Sequence, residues 1–367
     1  MTYRRAVIPA LVGSLLITLL MWWAGASAAA SHLRGATDVF GVEAAGELRR
    51  WLAPWSYDAS SAAPSGGLGG GGRQYADLYS TGMQIRFVAV FVFFLAGALL
   101  LLRRIPPAQG RTPATLLALW AWGPVAGTLA VTVSAPWLIA SRGHGSYRVL
   151  PQWAGMIASS GPVVVAAALV AAPVTVLVAR MTLNGADPVP RQSVPPRAAR
   201  LAASAGTAVV ALSLVVLSYS SVAAWIQTSF GGGGLLSEPG DLLRQWLLLG
   251  AWTGPADTPL GDWLLYRAAD VVLLAVVWWA LRLLPGLLTR TTVPAMAVGA
   301  VCATVLGLLA SQVLHLAMDD TVDSTWGPLY RFSRLGEGAP AAVTFGSAAG
   351  LAALVTLRLA GGRPPGR

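Results

Sequence analysis

The sequence predicts an all-α integral membrane protein with eight transmembrane helices, arranged as two parallel four-helix repeats with the N-terminus and C-terminus both cytoplasmic. Three observations predict it. Hydrophobic residues make up 55% of the 367 and charged residues 11%, with a mean hydropathy of +0.63. A typical soluble domain is roughly 25% charged, and a water-soluble chain this apolar could not cover its surface. Apolar stretches of about 20 residues, the length a helix needs to cross roughly 30 Å of hydrocarbon, recur eight times. The basic residues, all of them arginine, gather at alternate ends of those stretches.

The first span, 6–28, follows Arg4 and Arg5. The same start, with Ala26-Ser27-Ala28, also resembles a secretory signal and its small-residue cleavage site. Its apolar run extends through Trp22 and Trp23, which is long for a signal, so the span is expected to be retained. An external segment, 47–55, mixes Trp and Leu with arginine and acid, as a short interfacial helix does. A Gly/Ser-rich tract at 60–72, within an external linker of about 56–75, reads as flexible. Spans two to four are expected at 87–102, 114–140 and 156–179.

Residues 1–185 form the first unit. A cytoplasmic linker at 186–200 is held extended by Pro188, Pro190, Pro195 and Pro196. The second unit, 201–362, has spans at 201–225, 263–283, 293–318 and 341–359, with a second interfacial segment at 241–252; residues 363–367 are a cytoplasmic tail.

The duplication rests on short anchors that occur in the same order. Gly46-Glu47-Leu48-Arg49-Arg50-Trp51 resembles Gly240-Asp241-Leu242-Leu243-Arg244-Gln245-Trp246. Arg103-Arg104-Ile105-Pro106 resembles Arg282-Leu283-Leu284-Pro285, and Arg111-Thr112 matches Arg290-Thr291 at the same separation of 179 residues. Tyr147-Arg148 and Tyr330-Arg331 fall in equivalent connections. Four spans per unit is an even number, so both copies insert the same way up, as parallel repeats do.

Orientation follows from the retention of basic residues on the cytoplasmic side. With the N-terminus inside, fourteen arginines face one acid, Asp187, on the cytoplasmic side, and eleven arginines face fourteen acids outside. The formal net charge of +10 is therefore a topology signal, and nucleic acid is not an expected partner. The expected partners are the lipid bilayer and, as candidates, other membrane or ATPase subunits.

Candidate chemistry is sparse. Arg267 and Asp270, three residues apart on one helical face, sit just inside span six. Intramembrane ionisable residues are functional candidates, though a pair near the boundary can also neutralise itself structurally. His315, Asp319 and Asp320 cluster at the outer end of span seven and carry ligand types that a metal or an outer-face reaction could use; a solvated acidic loop is the plainer reading. Gly123 and Gly127 in span three, and Gly346 and Gly350 in span eight, are GxxxG patterns suited to close helix packing. Pro124 and Pro173 are candidate kinks. No phosphate loop, HExxH, CxxC or GxSxG is present. No catalytic residue, cofactor or cofactor-binding residue is expected, and Cys302 reads as buried and inert.

The leading functional expectation is a non-enzymatic, permease-like subunit or membrane-complex component of a bacterial plasma membrane, lacking its own nucleotide-binding domain. The rivals are a self-sufficient secondary carrier with a pathway between the repeats and a membrane enzyme acting on lipid or cell-wall precursors at the outer face.

Overall fold

The computed structural model describes residues 3–30, 42–57, 71–107, 110–143, 148–183, 194–230, 236–250, 252–256, 259–318 and 331–360. Helix dominates, and among the described residues the only strand-like pairing is a single bridge between Tyr219 and Trp252. Eight helices are long and apolar enough to cross a membrane. They are α1 (Tyr3–Ala30), α3 (Gly71–Arg104), α4 (Thr112–Ala140), α6 (Gly161–Leu183), α7 (Pro196–Ala211), α10 (Leu260–Leu287), α11 (Val293–Met318) and α12 (Ala339–Ala360). Shorter helices are α2 (Val42–Leu52), α5 (Val149–Ser159), α8 (Ser220–Ser229) and α9 (Pro239–Leu247). This is a multi-pass membrane protein by helix length and composition.

Each set of four spans closes into a ring: α1 packs on α3, α3 on α4, α4 on α6 and α6 on α1. In the other set α7 packs on α10, α10 on α11, α11 on α12 and α12 on α7. The sets meet where α4 touches α11, with α12 against α4 and α11 against α3. Accordingly α4 and α11 are the most enclosed spans, and one continuous apolar core runs through both rings. Small residues permit the close approach that lipid alone would not drive. A Cβ on Gly123 would lie 2.2 Å from that of Ala168, and one on Gly127 2.7 Å from Val164, so this pair seats α4 on α6. Gly346 and Gly350 seat α12 on α11, where added Cβ atoms would fall 2.7 Å from the Val301 Cα and 2.6 Å from the Met296 carbonyl oxygen.

Three spans depart from the sequence expectation. Helix α3 starts sixteen residues before the expected Phe87, so 71–75 of the expected linker is helical; residues 58–70 lie outside the described set. Its extra turns are polar and escape a hydropathy window, but they are anchored: the Tyr79 hydroxyl donates to the Ser56 carbonyl at 2.6 Å. The stretch expected as a single fourth span is broken at Ser160, which lies between α5 and α6. Gly161-Pro162 opens the second piece, and proline suits a first helical turn. The expected fifth span is also interrupted. α7 passes into a π-helical turn, Leu212–Leu217, and stops at Tyr219, whose backbone is extended. Because the spans are longer than expected, Asp77 and Asp262 also fall inside them.

The two ends of the bundle differ. At one, connections are short, and the Thr289 N–H donates to the Arg104 carbonyl at 2.9 Å. At the other, elaborated end, α2, α5, α8, α9 and residues 331–338 interlock. α9 packs on α5, Arg148 pairs with Glu238 across the two rings, and Gly336 lies against Gly161.

Candidate functional site

The interruption of α7 builds the first wall of a cavity. A π turn departs from the regular i→i+4 ladder, and here its carbonyls are met both from the segment after α9 and from the residue that ends the turn. The Trp252 indole N–H donates to the Leu214 carbonyl at 3.0 Å, and the Ser218 hydroxyl to the Ser213 carbonyl at 2.9 Å. The Ser213 hydroxyl in turn donates to the Leu247 carbonyl at 2.6 Å. Backbone bonds between Ser220 and Trp252, and between Trp252 and Ser218, complete the clamp. Trp252 is thereby fixed with its ring edge-on to Tyr219, centroids 4.7 Å apart.

Against that ring lies Arg267 of α10, its guanidinium carbon 4.2 Å from the ring centroid, a cation–π geometry. Arg267 also forms an ion pair with Asp270. Arg267, Asp270, His315, Trp252, Arg334 and Glu337 are among the residues around a cavity of about 460 Å³ at the elaborated end. Gln312 of α11 holds its rim: its side chain donates to the Glu337 carbonyl at 2.9 Å and accepts from the Gly336 N–H at 3.0 Å. Gly336 has φ +83°, a left-handed conformation that glycine adopts without strain. The His315 ring stands 5.3 Å from that of Tyr266.

Two candidates that are 45 residues apart in sequence, Asp270 and His315, thus share one cavity. Asp319 and Asp320, with the rest of 319–330, lie outside the described residues. Among the described residues no three His, Cys, Asp or Glu side chains gather as metal ligands would. Pro124 and Pro173 both sit inside continuous helices. Pro124 is buried against the core while Pro173 is exposed on the outside of the bundle, so the latter lines no interior path.

Sequence reasoning missed Arg86. Its side chain is wholly enclosed, with the residue 2% exposed. Its Nε donates to the Ser134 hydroxyl at 2.9 Å, and its NH1 donates to the Pro54 carbonyl. Its guanidinium carbon lies 5.7 Å from the Trp55 ring. The signal that could have found it is its place at the edge of the long apolar run 87–102, where an arginine needs a partner. Trp252 was likewise read only as part of an interfacial segment.

The chain matches no protein-family model, no curated protein and no solved structure.

Proposed function

We propose that the chain is a non-enzymatic component of a bacterial plasma membrane, a permease-like subunit or a member of a membrane complex, that recognises its ligand or partner in the cavity beside Trp252 and Arg267. The observation that carries this reading is the convergence of Arg267, Asp270 and His315 on one cavity at the elaborated end. The contact between the two rings, by contrast, is helix against helix along α4 and α11. Recognition at one end, rather than a route between the rings, fits that distribution.

The elaborated end is assigned to the outside. Support comes from the short-loop end, where Arg103, Arg104, Arg111 and Arg290 stand at or just beyond span termini and Arg282 lies within the last two turns of its span, as cytoplasmic arginines do. The two rings are proposed as a duplicated unit. Their matching orders of contact support it, as does the recurrence of an arginine over a tryptophan, Arg86 on Trp55 and Arg267 on Trp252.

Affinity purification of the full chain in mild detergent tests the reading. Co-recovery of another membrane protein or an ATPase subunit is expected, and recovery of the chain alone counts against it. Solute uptake by vesicles containing only this protein would transfer the reading to a self-sufficient carrier. The membrane-enzyme reading keeps one observation, His315 in the same cavity as Asp270. A His315→Ala variant that fully complements a deletion strain would dispose of it.

A further inference from the structure

A second cavity, of about 360 Å³, lies at the elaborated end of the first ring, separate in its lining from the one beside Trp252. Arg50, Arg86 and Arg142 line it with Tyr79, Ser141 and Ser159, and among the described residues that line it there is no carboxylate. Arg50 is held by Glu47, one turn away on α2, and its side chain is otherwise 64% exposed. Arg142 is exposed and stands beyond the end of α4. Arg86 is enclosed, and its neighbours do not exhaust its donors. A guanidinium has five N–H groups. Ser134 and Pro54 take the Nε and NH1 sides, and among the described residues the NH2 side meets only the Met156 thioether sulfur at 4.0 Å, a weak acceptor.

Enclosing a guanidinium beside a second one is unfavourable unless negative charge compensates. Planar forks of N–H donors match phosphate oxygens better than a point charge does. We infer that this cavity is an anion site for a phosphate-type group, with Arg142 and the free edge of Arg86 as its donors. The group belongs either to the headgroup of an anionic phospholipid or to a soluble phosphate.

The test uses the full chain. Native mass spectrometry after reconstitution in mixed phosphatidylglycerol and phosphatidylcholine nanodiscs reads the lipid arm, and calorimetry with inorganic phosphate in detergent reads the soluble arm. Arg142→Gln, at an exposed side chain, leaves folding intact by thermal unfolding and is expected to weaken binding about tenfold, the scale of one charge-assisted hydrogen bond. Arg86→Lys keeps the charge but loses the fork, and is expected to weaken binding as well. Selective retention of phosphatidylglycerol that Arg142→Gln abolishes assigns the headgroup. Phosphate heat abolished by the same change assigns the soluble anion. If neither probe binds the unaltered protein, or if Arg142→Gln leaves binding unchanged, the site is overturned.

Discussion

Asp270 and Arg267 show how much a single pair can hold in place. Their side chains are only 18% and 21% exposed, and Arg267 is pressed between its carboxylate and the Trp252 ring. Removing one partner of an enclosed pair leaves an uncompensated charge, which costs more than removing both. Arg267→Ala is therefore expected to lower stability by about 2 kcal/mol, and Arg267→Ala with Asp270→Ala by less, as thermal unfolding in detergent would report. A double variant at least as unstable as the single one would contradict this. Trp252→Phe retains most of the ring but loses the indole donor to the Leu214 carbonyl. The expected loss is about 1 kcal/mol, with faster amide exchange concentrated at 212–220. The pairing of Arg267 with Asp270 was legible from their three-residue spacing. The ring over Arg267 was not, because Trp252 arrives from a segment with no periodic relation to α10.

At the scale of elements, the bundle depends on how closely helices approach. The Cβ positions beside Gly123 and Gly350 are occupied by Ala168 and by the backbone of Met296 and Ala297. Gly123→Leu or Gly350→Leu must push two spans apart, at a cost of about 1–3 kcal/mol or more. Gly155, exposed on α5, has nothing within 4 Å of an added Cβ, so Gly155→Ala is expected to be neutral or to gain up to about 1 kcal/mol. Thermal unfolding of the set decides whether packing space governs the outcome. The GxxxG spacing was readable from sequence, although which neighbours the glycines face was not. Hydropathy also hid the breaks at Ser160 and Tyr219, because an apolar window sums transfer preferences and does not register backbone direction. The serines that release the helix at 218–220 are compatible with either continuation, and the choice is made by Trp252 bonding across to Ser218 and Ser220.

For the whole molecule, two predictions follow from the two rings. If residues 1–190 and 191–367 are separate units that meet chiefly along α4 and α11, the halves co-expressed as two chains should purify together; failure to associate, with each half stably inserted, would argue against that division. An alkaline phosphatase fusion at residue 60 should be active, and an inactive, well-expressed fusion would reverse the assigned orientation. The membrane-spanning character of the chain was determined by sequence alone. Span number and approximate position depend on local sums of apolar residues measured against a fixed bilayer thickness, and such sums need no knowledge of neighbours. What tertiary structure decided was which polar groups meet. Arg86 finds Ser134 forty-eight residues away, and Asp270 and His315 line one cavity. These meetings depend on how the helices pack and where they break, and hydropathy is blind to both.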